Sequence, residues 1–307
     1  LSKFEQGLNG TYYYSHIGKA LTLTGTVDGV GAFTMDETDT EGAKTGVFAG
    51  TIADRGAKAE GTWTSADGTK SMPFSVSRVA LHGDENGGMG IGSQGTELHL
   101  DFPVFVASAG PGYAAFNSAI QGLIRNRARE SATQFVESAA ELGLDEPRGF
   151  DGEYGQTISV GDHQILFLSD QVASVLFLVS LYQGGAHGMT MSLPINLRLA
   201  KEGEAYTAKP IPLSEIVAGT EGFAALGTYV IDALKAKNAS LVVDGQIKAF
   251  KPEDLAAYTL SPRGIMIYFD PYAVASYAEG PFEVFVPFAE LPTAFNAAAL
   301  EGIAEAK

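Results

Sequence analysis

The chain has no cysteine, one tryptophan, five histidines, and 20 lysines and arginines against 36 aspartates and glutamates. Without cysteine there is no disulfide framework, no thiolate nucleophile and no cysteine-ligated metal. That absence fits an oxidising and a reducing compartment equally. The shortage of basic residues leaves a formal net charge of -16 and a pI near 4.6. Nucleic acid, which demands a basic footprint, is therefore not an expected partner. Anionic lipid surfaces are disfavoured for the same reason. A basic protein would be steered toward such a field, although acidity also serves plain solubility. No apolar run reaches membrane-span length, and 45% hydrophobic content predicts a soluble globular chain. Its 307 residues are enough for two domains. Because it opens on Leu1 rather than Met, it reads as processed or trimmed, with any signal peptide or lipid-anchoring cysteine lying upstream.

Catalytic and cofactor signatures are equally sparse. His16, His82, His99, His163 and His187 show neither H-x-H nor H-E-x-x-H spacing, so no local metal site is expected. No G-x-S-x-G elbow occurs. Gly90-Ile91-Gly92-Ser93-Gln94-Gly95 matches G-x-G-x-x-G by its letters. An alternating strand pattern follows it, Thr96 to Phe102, not a helix whose N-terminus would hold a pyrophosphate. No dinucleotide or other cofactor is expected. The acidic run Asp36-Glu37-Thr38-Asp39-Thr40-Glu41-Gly42 lacks the ligand order of an EF-hand and supports adventitious calcium at most. The glycosylation tripeptides at Asn9 and Asn238 are common by chance.

Residues 10–79 read as all-β, with short alternating segments parted by Asp28-Gly29, Glu41-Gly42 and Asp67-Gly68. This predicts an antiparallel meander curled into a small barrel or sandwich. Trp63 in it is a core or barrel-closing aromatic, or else a sugar-stacking platform. Residues 83–95, rich in glycine and polar groups, read as a linker between an N-terminal β domain (1–82) and a second domain (96–307). The second domain opens with a strand and a long helix over 111–142, on which Phe116, Ile120, Leu123, Ile124, Phe135 and Val136 recur near helical spacing. Arg125, Arg127 and Arg129 cluster on that helix, to bind a phosphate or carboxylate or to pair with Glu130 and the acidic body. Strands follow at 156–160, 164–168, 172–182 and 187–199, with a turn at Asp162. A short helix at 212–217 and a full one at 220–237, capped by Thr220, precede strands at 264–269 and 282–286. An alanine-rich helix at 292–306 ends the chain. Strand runs with segregated helices give an α+β class with a largely antiparallel sheet.

The most informative stretch is Tyr182-Gln183-Gly184-Gly185-Ala186-His187-Gly188, set between an apolar strand and an alternating one. It is either a glycine hairpin with His187 capping it, or a site in which His187 changes charge near neutral pH with Asp270 or Glu279 as partner. Downstream lie Leu213-Ser214-Glu215-Ile216, then Tyr268-Phe269-Asp270-Pro271-Tyr272, Tyr277-Ala278-Glu279-Gly280 and Val284-Phe285-Val286-Pro287. In that order these motifs resemble the extracytoplasmic domain of the lysozyme-sensing anti-sigma factors, found also in some peptidoglycan deacetylases and a secreted mycobacterial antigen. The resemblance covers roughly residues 96–307 and departs at Met189-Thr190-Met191 and Lys201-Glu202-Gly203.

The resemblance implies an extracytoplasmic protein, periplasmic, secreted or lipid-anchored, that binds a ligand of the cell envelope without catalysis. Its implied partner is a basic protein such as lysozyme, or cell-wall glycan. The candidate binding residues are Gly184, Gly185, His187, Asp270, Tyr272, Tyr277 and Glu279. The competing expectation is a wall-polysaccharide-modifying enzyme with an unrecognised site around His187. A purely structural secreted protein is a third.

Overall fold

The computed structural model describes residues 2–4, 7–13, 20–39, 41–91, 94–106, 108, 110–141, 156–183 and 187–304. The chain divides into two compact units, Leu1–Val79 and Ala80–Lys307.

The first unit is all-β. Strands β1 (Ser2–Phe4), β2 (Gly7–Tyr13), β3 (Ala20–Val27), β4 (Ala32–Thr38), β5 (Lys44–Ala53), β6 (Lys58–Ser65) and β7 (Ser71–Ser77) pair in sequence order as one antiparallel meander. The aspartates of the turns hold them closed: Asp28 accepts from the Val30 and Ala32 N–H groups, and Asp67 from that of Thr69. Leu8, Leu23, Phe33, Met35 and Ala59 line the buried face. In a flat sheet three strand spacings amount to about 14 Å. Yet Tyr12 of β2 meets Phe48 of β5 at 5.8 Å, and Phe33 of β4 meets Phe74 of β7 at 6.2 Å. The sheet therefore curls around its own side chains.

Glu37, only 1% exposed, lies on that inner face. A buried carboxylate is tolerable only when its oxygens are hydrogen-bonded. Tyr12 and Thr45 donate their hydroxyls to it, and Trp63 its Nε1–H at 3.1 Å. Trp63 reaches it because Gly46 is bare, and any side chain there would collide with the indole. Trp63 is thus a partly buried inner-face residue with its N–H committed. The acidic run is dispersed by strand alternation: Asp36 points out to Lys44 (2.7 Å), Glu37 points in, and Asp39 closes its own turn. These oxygens do not converge as a calcium cage requires.

The second unit is built on a six-stranded sheet in the order β13-β12-β11-β10-β9-β8. Its strands are β8 (Ala80–Ile91), β9 (Gln94–Phe105), β10 (Gln156–Leu168), β11 (Val172–Tyr182), β12 (Met189–Glu202) and β13 (Ala205–Pro210). Neighbours are antiparallel except β9 and β10, whose parallel pairing needs a long crossover. Helix α1 (Tyr113–Glu141) lies in that crossover, setting Phe116, Ile120, Ile124, Ala128 and Ala132 against the sheet at four-residue intervals. The opposite side carries a three-stranded sheet, β14 (Tyr258–Ser261), β15 (Gly264–Phe269) and β16 (Phe282–Pro287), with α2 (Leu213–Ile216), α3 (Gly219–Ala236) and α4 (Ser240–Val243). The largely apolar run of β11, interrupted by Ser174 and Ser180, follows from its burial on both faces. A satisfied polar network joins the two sheets. Ser174 donates to Asn196 (2.6 Å), Asn196 to the Tyr258 carbonyl (2.6 Å), and the Leu260 N–H to Ser174 (2.9 Å).

Four expectations differ from this fold. Of the expected linker 83–95, the described residues 83–91 and 94–95 are strand: β8 and β9 pair from Ala80↔Phe105 to Ile91↔Gln94, and the unit boundary lies at Val79/Ala80. As the sheet's edge, β8 needs no apolar alternation, and Gly83 leaves room for the Phe102 ring and Val104. Asp162 makes no turn; with φ of 44° it marks a register shift inside one continuous β10. Thr220 is not the cap of α3, which starts one residue earlier behind Ala218 with no side-chain cap. Residues 292–304 form a chain of local turns and not one helix, and two of their backbone groups are used elsewhere: the Ala218 N–H donates to the Ala294 carbonyl, and the Asn296 N–H to the Ile216 carbonyl.

Candidate functional site

Two connections meet at the candidate site. The first joins β11 to β12 and carries His187; Gly184 and Gly185 of the candidate set lie outside the described residues. The second runs from the end of β15 to the start of β16. It opens on a tight turn in which the Ala273 N–H donates to the Asp270 carbonyl at 3.0 Å. Pro271 and Tyr272 are its central residues, and Tyr272 has φ of 73°. Positive φ at the third position belongs to a type II turn, where glycine or asparagine is normally required. A tyrosine there carries a backbone strain of about 1–2 kcal/mol.

The turn aims Tyr272 outward, and its neighbours complete a row of rings. His187 stacks on Tyr277 at 4.5 Å between centroids, and Tyr277 meets Tyr272 at 5.5 Å. Tyr272 is 55% exposed and Tyr277 37%. Both connections are pinned to one carbonyl, since His187 Nδ1 lies 3.0 Å from Gly188 O and the Tyr277 hydroxyl donates to the same oxygen at 3.3 Å. Among the described residues His187 thus bonds to its own neighbour.

The two acids expected beside His187 are committed elsewhere. Asp270 Oδ1 accepts the Ser192 N–H at 2.7 Å, tying the turn to β12. Burial pushes its pKa above the ordinary 3.8, while the bonds from Ser192 and the Arg127 charge pull it back. Glu279 takes the Ser240 hydroxyl (2.7 Å) and the Ser276 hydroxyl (2.8 Å), plus both backbone N–H groups. Those bonds, Ser240 first, hold its carboxyl below the ordinary 4.5. Glu279 therefore fixes the loop to the start of α4, helped by the Leu241 N–H donating to the Val274 carbonyl (3.1 Å).

Ser192, Ser240 and Ser276 serve this site and did not stand out in the sequence, whereas Arg127, whose charge reaches Asp270, belongs to the arginine cluster that did. Only Ser276-Tyr277-Ala278-Glu279 carries a legible signal, the S-x-x-E capping box that the structure forms. Of the arginine cluster, Arg125 pairs with Glu85 (2.6 Å) and Arg127 approaches Glu130 (3.8 Å), as expected of cations on an acidic chain. Arg129 lines a shallow concavity with Asn126 and Thr133. His99 bonds Asn86 at 3.0 Å. His163 stacks with His82, and burial followed by the nearby His82 charge pushes its pKa down. Among the described residues no three His, Asp or Glu side chains converge as a metal site. No described helix is long and apolar enough to cross a membrane.

Residues 216–289 match the family model DUF3298, described as a protein of unknown function. That segment contains β14 to β16 and the whole Asp270–Gly280 loop, but not His187. A search of the curated proteins found no match. Two solved structures are similar at 15% identity. One is a DUF3298-family member from Bacteroides fragilis NCTC 9343, with a TM-score of 0.38, covering 73% of this chain and 96% of that one. The other is a DUF3298-family protein from Pseudomonas aeruginosa PAO1, with a TM-score of 0.43, covering 72% and 96%.

Proposed function

We propose that the chain is a non-catalytic, extracytoplasmic recognition module of the cell envelope. Its contact surface is the row His187–Tyr277–Tyr272, and its partner is a basic protein of the lysozyme type. The observation that carries this reading is Tyr272, a large ring kept at a glycine-favouring φ of 73° while more than half exposed. Its contact with Tyr277 at 5.5 Å returns at most about 1 kcal/mol against that strain, so we read the exposed side chain as retained for what it touches outside the chain. Tyrosine suits the task because it offers wide contact area with a polar tip and little rotamer entropy to lose. The resemblance to the lysozyme-sensing domains and the charge of -16 support the choice of partner. His187 serves as packing, with one ring face on Tyr277 and Nδ1 on a backbone carbonyl.

Tyr272→Gly separates recognition from folding. Glycine relieves the strained φ, so the variant is expected to melt at the same or a higher temperature. Its affinity for lysozyme, measured by titration calorimetry, is expected to fall by about 2 kcal/mol or more, the cost of losing an interface anchor. A destabilised variant with unchanged affinity overturns the reading, as does the absence of binding to any lysozyme. Binding of chitotriose in place of lysozyme would reassign the surface to wall glycan. Turnover of peptidoglycan fragments that vanishes in His187→Ala would make the protein an enzyme.

A further inference from the structure

We infer that the outer face of Tyr272 is the seat for an arginine side chain of the partner. This rests on the recognition reading above and names the group recognised. The row is closed at its inner end, where His187 covers Tyr277, and Tyr277 in turn faces Tyr272. Tyr272 makes no further ring contact among the described residues, so its second face is the open end of the row. Among the described residues the cation–π pair of the second unit is Lys201 over Tyr206, and none of those residues places a cation on Tyr272.

An aromatic face carries a negative quadrupole that attracts a cation, and arginine is favoured because its flat guanidinium stacks on the ring and is weakly hydrated. The surrounding charge has the matching sign. Most of the excess negative charge lies in residues 80–307, the unit that carries the row. The two acids nearest in the loop do not compete as direct ion-pair anchors. Glu279 spends its carboxylate on Ser240 and Ser276, and Asp270 turns an oxygen to Ser192. The ring is left as the recognition element, with the general field as its guide. A neutral sugar would stack on the same face but gain nothing from that field.

The test uses the full chain and compares Tyr272→Phe with Tyr272→Leu. Both carry the same backbone strain as tyrosine, so the difference between them reports the π face and not the turn. The probes are capped tetra-arginine, capped tetra-lysine and chitotriose, followed through the aromatic 1H–13C resonances of residue 272 or its neighbour Tyr277. Tetra-arginine is expected to shift them to saturation, with tetra-lysine weaker and chitotriose silent. Tyr272→Phe should stay within about twofold of the parent for tetra-arginine, and Tyr272→Leu should bind about fivefold more weakly. Equal binding by the leucine variant, or a response to chitotriose without one to tetra-arginine, overturns the arginine seat. Lysozyme binding that persists alongside a silent tetra-arginine titration overturns the seat alone and leaves the recognition reading standing.

Discussion

Glu279 and Asp270 sit in one loop, and their pKa values move in opposite directions. Glu279, exposed but bonded by two serines, is held below 4.5; Asp270, half-buried, is raised above 3.8. A carboxyl whose folded pKa is depressed stabilises the fold above its unfolded value and loses that contribution as pH falls through the folded one. The raised carboxyl has the reverse sign: it weighs against the fold above its folded pKa, and acidification relieves it. The melting-temperature gap between the parent and Glu279→Gln is therefore expected at about pH 7 and should close toward about pH 2. The corresponding gap for Asp270→Asn should move in the parent's favour as pH falls. Parallel curves for both variants would sink this assignment. At this scale the site was half legible. Aromatics in a loop pointed to Tyr272 and Tyr277. What failed was the pairing of His187 with an acid. Ser276-x-x-Glu279 is a capping pattern, and the bonds from Ser240 and Ser276 orient that carboxylate toward the start of α4. The hydrogen bond of Asp270 was hidden for another reason, because its partner, the Ser192 N–H, is a backbone group that leaves no mark in sequence.

Elements with a strong period and burial on a defined face were readable from the residues. The run 172–182, the helix around Phe116, Ile120 and Ile124, and the strand 264–269 fall where the pattern placed them. The failures are elements whose stability comes from neighbours. β8 is glycine-rich and polar yet paired along its whole length, and 292–304 is alanine-rich yet makes only local turns, with backbone groups of Ala294 and Asn296 given to Ala218 and Ile216. Among the described residues β7 is an edge strand of the first sheet, and it shows how much one residue sets at this scale. Its sequence, Ser71 to Ser77, has no charge, and Met72 and Val76 are exposed, which invites strand addition. The hydrogen bonds Ser65 N–H to Lys70 O and Arg78 N–H to Ala57 O fix the alternation of the β6–β7 ladder. By that alternation Pro73, opposite Thr62, is in a non-bonded pair, so its nitrogen faces the open edge. A proline there removes the central outward donor and blocks pairing with another strand. Pro73→Val should keep the fold and turn the chain toward concentration-dependent self-association, visible by analytical ultracentrifugation. A variant that stays monomeric at the highest concentrations would mean that something other than Pro73 guards this edge.

At the level of the whole chain, the sequence and the structure divide it at different places, and the difference decides which fragment folds. Composition placed a linker at 83–95, so the second domain would begin at Thr96. The contacts place the division at Val79/Ala80 and make β8 a structural strand. β8 covers one edge of β9 over twelve paired positions, and Ala80 packs on the core of Leu100, Phe102 and Phe105. Deleting β8 would leave β9 with a bare edge and strip cover from an aromatic cluster, a loss that edge strands with open backbone groups seldom survive without aggregation. It would also remove Glu85, the partner of Arg125 on α1. The fragment Ala80–Lys307 is therefore expected to melt in one cooperative step and to keep lysozyme affinity within about twofold, since every residue of the aromatic row lies inside it. The fragment beginning at Thr96 should melt far lower or aggregate. Scanning calorimetry of the two, side by side, distinguishes the boundaries. If the shorter fragment is as stable as the longer, β8 is a dispensable strap and the compositional reading of a linker was the better one. If the longer fragment folds but no longer binds, the contact surface extends into the first 79 residues and the aromatic row is not sufficient.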